Sequence, residues 1–253
     1  MVLSIVPALL GAAITVILAL VAILARALTP PAGAAAAVFG VVIVVTVGFP
    51  FLALVALFVA GGVMATRYRI EEKRKRHVQE GVAGERGVSN VVSHILIPAG
   101  LAVVSAVPGN LLSGPSVALL FASALSFGAA DTFASEFGVL AGRARSILTF
   151  QPVTPGTNGG ISGTGQAFAF LGAASTAVLG LGFFLLFRTP VGSPALFLLV
   201  VTGSGFLGCQ MDSVLGASLE NRGLLTKGST NFLAMLFAVL LAVLLLVAAG
   251  GSL

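Results

Sequence analysis

Long apolar stretches separated by short polar ones recur from one end of the chain to the other. Stretches of about 17 to 25 such residues satisfy their backbone in lipid only by coiling into helices. The pattern predicts eight of them, over residues 3–24, 33–47, 49–66, 91–107, 117–130, 167–187, 194–209 and 231–249. The expected fold is therefore an all-α polytopic membrane protein of about eight transmembrane helices joined by short loops, a single integral membrane domain over residues 1–253. The second and fifth stretches are short. Residues 33–47 run straight into Gly48-Phe49-Pro50, which makes either a tight helical hairpin or one broken re-entrant element, because proline removes a backbone donor and glycine permits a sharp bend. In the second case the number of spans is seven.

Basic residues test this map, since they accumulate next to the cytoplasmic ends of membrane helices. With the loop 67–90 inside, Arg26, Arg67, Arg69, Lys73, Arg74, Lys75, Arg76, Arg86, Arg143, Arg145, Arg222 and Lys227 are all inside, and Arg188 alone is outside. That sorting predicts both termini outside and an active site at the cytoplasmic face; in a prokaryote the membrane is the plasma membrane. No basic residue precedes Arg26, and the first apolar run exceeds a usual signal core, so it is expected to be a retained helix. The run "RYRIEEKRKRHVQEG" reads as a solvated extension of the third helix touching anionic head groups. A net charge of +5 could suggest nucleic acid, but these cations cluster at membrane ends without the interleaved aromatics of a base-stacking surface. Cys209 is the only cysteine, which excludes an intramolecular disulfide and a cysteine metal site; its expected role is helix packing.

Composition sharpens the search for chemistry. Hydrophobic residues make up 58% of the chain and charged ones 8%, with only eight Asp and Glu. A carboxylate at a membrane boundary is costly and marks function unless it is paired. Three segments on the predicted inner side hold nearly all the polar groups. The first ends in "ERGVSNVVSH", with Glu85, Arg86, Asn90 and His94. The second, 131–166, holds Asp131, Ser135, Glu136 and the run "GTNGGISGTG". The third, 210–230, holds Asp212, Ser213, Glu220 and Lys227, with Asn231 just beyond it.

Asp131 and Ser135, four apart, share a helix face, while Glu136 lies roughly 140° around from Asp131. Asp212 and Glu220 share a stripe in the third segment. Small residues at Gly138, Gly216, Ala217 and Ser218 permit close approach of a helix or a phosphate chain. Few hard oxygen ligands drawn from different helices suit Mg²⁺ held by one or two carboxylates together with substrate phosphates. The alternative for Asp131 is an intramembrane salt bridge with Arg143 or Arg145. The glycine run, 156–165, precedes a helix and can turn successive amides toward phosphate oxygens; as an alternative it is a flexible connector. It lacks the lysine of a Walker A loop, and "GLLTKGST" has the wrong spacing for one. His77 and His94 have no second ligand at metal spacing. His77 is expected on the surface of a basic helix, and His94 either near the pocket or packed and hydrogen-bonded.

"ADTFASEFGVL", "PVTPGTNGGIS" and "DSVLGASLE" followed by Asn231 resemble the membrane family that contains plant phytyl-phosphate kinase and transmembrane protein 19, and the resemblance extends to "ALTPPAGAAAAVFG". More distantly, Asp131, Ser135, Gly138 and Gly142 ahead of the glycine run are similar in layout to the CTP-dependent phytol and dolichol kinases. The stretch "RGVSNVVSH" matches the family's Arg-to-Asn region loosely, and the loop from Glu220 to Asn231 is short. The resemblance implies transfer of a phosphoryl group from CTP or another nucleoside triphosphate to a membrane isoprenoid monophosphate such as phytyl or geranylgeranyl phosphate, giving the diphosphate. Asp131, Asp212 and Glu136 are then expected to hold Mg²⁺. Ser135, Gly138, Gly156, Thr157, Asn158, Gly159, Gly160, Ser162, Ser213 and Asn231 are expected around the nucleotide. Arg86, Arg143 or Lys227 is expected on the acceptor phosphate or the transferred group. Two alternatives stand beside this: a cytidylyltransferase making a CDP-lipid, and, from another class, an ion-coupled transporter or lipid-binding membrane protein.

Overall fold

The computed structural model describes residues 5–82 and 84–253. Eight long helices alternate in direction: α1 (Ile5–Leu24), α2 (Pro30–Thr46), α3 (Phe49–Arg67), α5 (Val88–Ala106), α6 (Gly114–Gly138), α7 (Gly163–Leu186), α8 (Pro194–Leu215) and α9 (Lys227–Ala248), with a short helix α4 (Ile70–Lys75) between α3 and α5. Among the described residues seven of the long helices are long and apolar enough to cross a membrane, and α2 is a shorter apolar eighth. At 17 residues, α2 measures about 25 Å, a little under the roughly 30 Å of a hydrocarbon core. It meets α3 through only Val47 and Gly48, and Gly48 takes φ +94°, a conformation glycine adopts without a Cβ clash. The element is therefore a tight helical hairpin.

The bundle is built around α6, which packs against α3, α5, α7, α8 and α9. Every residue of α6 from 116 to 130 is buried, as expected of a helix that is apolar or small on all sides. Glycines let its neighbours close in: a Cβ at Gly172 of α7 would lie 2.7 Å from the Ala129 carbonyl oxygen, and one at Gly205 of α8 2.0 Å from Ser126 Oγ. Ser126 donates across the gap to the Val201 carbonyl at 2.8 Å, a hydrogen bond that satisfies its hydroxyl inside the bundle.

Several sequence boundaries move. The fifth helix runs on past Ala130 to Gly138, and the seventh past Cys209 to Leu215, where a π-helical turn (Gly216–Glu220) continues it. Asp131, Glu136 and Asp212 thus stand on helices, where the sequence suggested loops. The fold is also not purely helical. Residues 144–161 form a small antiparallel sheet of β1 (Ala144–Ser146), β2 (Pro152–Val153) and β3 (Gly160–Ile161) in the order β2-β1-β3. Nor is the basic run solvated throughout, because Lys73 of α4 is fully buried.

Helix alternation brings the C-terminal ends of α1, α3, α6 and α8 and the N-terminal ends of α2, α5, α7 and α9 to one face. The connections after α5 and α7 lie on the other, as does the C-terminus, where Ser116 Oγ donates to the Ser252 carbonyl. The twelve cations grouped above fall on the first face, and Arg188 on the second.

Candidate functional site

On the cation-rich face a pocket of about 280 Å³ opens between α6, α7, α8 and α9. Asp131 projects from α6 and Asp212 from α8, and their carboxylates lie close enough to interact directly. Asn231, from the first turn of α9, orients its amide so that the NH₂ donates to Asp212 Oδ1 and to the Lys227 carbonyl, both at 3.1 Å. Lys227 opens α9 behind a capping box of Thr226 and Ser229, and its ammonium lies 3.6 Å from Glu80 Oε2 across the pocket mouth.

Behind Asp131 stands His94. Its Nε2 is 3.7 Å from Asp131 Oδ2, its Nδ1 is 2.9 Å from the Asn90 carbonyl, and its ring lies between Phe58 and Phe127. Both expectations for His94 hold at once, since it is packed, hydrogen-bonded and next to the pocket. The suggested salt bridge of Asp131 to Arg143 or Arg145 does not form. Both arginines are exposed, Arg145 on β1 and Arg143 just ahead of it, and Arg145 donates to the Phe150 carbonyl within its own hairpin.

Glu136 also borders the pocket but uses both oxygens elsewhere. Thr66 donates to Oε1 at 2.7 Å and Lys73 to Oε2 at 2.6 Å. Glu136, expected on the metal, instead shares a buried ion pair that ties α4 to α6, and a carboxylate already matched to an ammonium has less charge to offer a cation than Asp131 or Asp212 has. Sequence reasoning missed Lys73 and Thr66, whose partner lies 63 and 70 positions away.

Arg86 sits one layer behind the pocket wall and does not line it. Its guanidinium contacts Asn90 at 3.3 Å, Thr132 at 3.4 and 3.5 Å, and Thr66 at 3.5 Å. Burial pulls its pKa below the usual arginine range, and Glu136, Glu80 and Asp131 offset part of that pull.

The glycine run is a shaped loop docked on α8. Gly156 and Gly159 take φ +92° and +73°. A Cβ on Gly159 would fall 2.3 Å from Ala217 Cβ and 2.6 Å from the Ser213 carbonyl oxygen. Asn158 Nδ2 donates to Glu220 Oε1 at 2.9 Å, and Asn221 Nδ2 to the Asn158 carbonyl at 3.2 Å. Two amides expected on phosphate are occupied within the loop, since Thr157 N donates to the Thr154 carbonyl and Gly160 N to the Thr157 carbonyl. Ser162 caps α7 by accepting from Gly165 N at 3.0 Å, and Ser135 Oγ donates to the Thr132 carbonyl. The loop is thus no flexible connector. Gly159→Ala is expected to cost about 1–3 kcal/mol by overpacking against Ala217 and to expose the loop, read as a lower unfolding temperature and faster proteolysis between 150 and 162.

Ser135, Gly138, Gly156, Thr157, Asn158, Gly159, Gly160, Ser162, Ser213, Lys227 and Asn231 all border this one pocket with the two aspartates. Arg86 and Arg143 do not. Glu80 and Val78, along with the exposed His77, line it as well, from a segment that offered no sequence signal beyond charge. Among the described residues no three His, Cys, Asp or Glu side chains converge at metal spacing. Two facing carboxylates fit a Mg²⁺ ion whose remaining ligands are phosphate oxygens and water. They do not fit a fully protein-enclosed ion.

A family model described as "Integral membrane protein DUF92" matches residues 13–239. An uncharacterized membrane protein of Methanocaldococcus jannaschii is 30% identical over 210 residues, covering 82% of this chain and 81% of its own. One from Synechocystis is 32% identical over 214 residues, 81% of this chain and 78% of its own. Protein PGR of Arabidopsis thaliana is 31% identical over 198 residues, 70% of this chain and 67% of its own. No solved structure matches.

Proposed function

The chain belongs to the DUF92 family of integral membrane proteins, and on that premise we propose that it is a phosphotransferase. It moves the terminal phosphoryl group of a nucleoside triphosphate, CTP by the resemblance noted above, onto an isoprenoid monophosphate such as phytyl or geranylgeranyl phosphate. The observation that carries this is the meeting of Asp131, Asp212, Lys227, Asn231 and the docked glycine loop in one pocket at the end of a membrane bundle. The cation-rich face is the cytoplasmic one, where nucleotides are, by the positive-inside rule.

A carboxylate-lined pocket repels a bare triphosphate, so Asp131 and Asp212 are the residues that would hold Mg²⁺, which on binding neutralises phosphate charge. Asn231 fixes the orientation of Asp212, and His94 backs Asp131. Lys227, freed from its long contact with Glu80, reaches the phosphates. An acceptor phosphate oxygen forms the new bond to the γ-phosphorus as the bond from that phosphorus to the β,γ-bridging oxygen breaks, and the nucleoside diphosphate leaves with the electron pair. The acceptor is already anionic near neutral pH, so the site needs no strong base. Positioning and charge stabilisation supply the rate.

Residues 116–130 of α6, deeper in the bundle than Asp131, are buried throughout, which favours a one-sided enzyme over an ion-coupled transporter. Product analysis separates the enzymatic alternatives. Protein in lipid nanodiscs, given Mg²⁺, α- and γ-labelled CTP and prenyl monophosphates, is expected to release CDP and prenyl diphosphate. Release of pyrophosphate with a CDP-lipid would instead establish a cytidylyltransferase, and release of neither would remove the enzymatic reading.

A further inference from the structure

His94 stands between two cavities: it approaches Asp131 of the pocket and lines a second one itself. Next to the pocket lies a second, narrower cleft of about 40 Å³ between α2, α3 and α5, walled by Ala36, Val55, Phe58 and Val59 and closed at one end by Arg86, Asn90 and His94. Its polar end is under-satisfied. Arg86 Nε is buried without a hydrogen-bond partner among the described residues, while His94 Nε2 faces Asp131 instead. Among the described residues the hydrogen bonds of the Arg86 side chain are all between 3.3 and 3.5 Å long, and it forms no ion pair. Arg86 is only 5% exposed. A guanidinium buried to that degree without a directly paired carboxylate carries a desolvation cost that the more distant Glu136, Glu80 and Asp131 offset only in part, and its forked donors suit a phosphate. Gly62 leaves it room, since a Cβ there would lie 2.9 Å from Nη2.

The apolar end has a way out. Ala36 and Val59 are half-buried, and α2 packs closely on α5 but only lightly on α3. At the polar end the cleft abuts the nucleotide pocket, because Arg86 contacts Thr132, the neighbour of Asp131, and His94 reaches Asp131 itself.

We propose that this cleft is the acceptor site: the phosphate of an isoprenoid monophosphate rests on Arg86, its first carbons lie against Val55 and Phe58, and its chain passes between α2 and α3 into the bilayer. The acceptor's identity rests on the phosphotransferase reading; the cleft itself rests on the geometry of Arg86 and its apolar walls. A cleft of this size holds the start of a chain and not its length, so the remainder lies in lipid, and chain length is weakly discriminated.

The test is photo-crosslinking of the full chain in nanodiscs, without nucleotide, by a prenyl monophosphate carrying a diazirine near its phosphate end. Labelled peptides are expected from α2, α3 and α5. Unlabelled prenyl monophosphate should compete, while the corresponding prenol and inorganic phosphate should not. Arg86→Gln is expected to weaken labelling about tenfold or more, as loss of a charge-assisted phosphate contact, and Arg86→Lys to restore part of it. Val59→Trp, at the rim, should block labelling with Arg86 intact, and decides the matter if Arg86→Gln does not fold. Labelling confined to α7, α8 or α9, or equal competition by the prenol, would overturn the proposal. Labelling of the cleft without CTP-dependent transfer would remove the phosphotransferase reading and leave the cleft standing; transfer with labelling elsewhere would do the reverse.

Discussion

Asp212→Asn is expected to lower the rate of prenyl diphosphate formation by on the order of 10³ without lowering the unfolding temperature of the metal-free protein. The two effects separate because Asp212 and Asp131 face one another inside a largely apolar bundle. Without a cation, two carboxylates this close favour a state in which one of them is neutral, so a neutral amide in place of one costs little. Asparagine keeps the shape, and its carbonyl can still accept from Asn231. With Mg²⁺ present the order reverses: the parent gains stability from the ion by mass action, and the variant loses that gain. Asp131→Asn should behave alike, and the double variant should be scarcely worse than either single one, because both remove the same bound ion. The measurements are initial rates and thermal unfolding with and without Mg²⁺. A variant within about tenfold of the parent, far short of the loss expected when a main charge-stabilising group is removed, would show that the aspartates do not hold the metal.

Asp131 and Asp212 stand out in the sequence because charge is rare in membrane-spanning segments, where it costs stability unless it is used, and the glycine run stands out as a polar, small-residue break between two apolar stretches. The helices are legible for the related reason that lipid leaves a lone backbone segment no other way to satisfy its polar groups, and the cation bias locates the site face. Helix ends are harder to read. Hydropathy falls once Asp131 and Glu136 appear, yet α6 continues to Gly138 because α7 packs against it through Gly165, whose Cβ would lie 3.5 Å from the Gly138 Cα.

The roles of Lys73 and Arg86 are set by partners far away in sequence. Lys73 sits in a run of charges whose other members are solvated or paired within α4, as Arg74 is with Glu71 and Arg76 with Glu72. Only the fold turns its side chain inward. Likewise the sequence points Arg86 to the acceptor phosphate or the transferred group but not to a place, and its contact with Thr132 sets it one layer behind the pocket wall, beside the apolar cleft.

Lys73→Met is expected to destabilise the bundle by about 3–5 kcal/mol, the cost of leaving one member of a buried ion pair behind. Lys73 is fully buried and Glu136 nearly so, so water cannot replace the lost ammonium. Lys73 also donates to the Ala65 and Thr66 carbonyls at 2.8 and 3.2 Å, which caps the last turn of α3. Glu136→Gln should cost less, because those two carbonyls still receive the ammonium and the oxygen of the new side-chain amide can still accept from Thr66. The double change, Lys73→Met with Glu136→Gln, should recover much of the loss, since no unpaired charge remains. Unfolding in detergent measures all three. The same series decides the role of Glu136: as a partner of Lys73, its change to Gln leaves Mg²⁺ affinity near that of the parent, whereas a metal ligand would lose affinity as Asp212→Asn does, and no change at Lys73 would restore it.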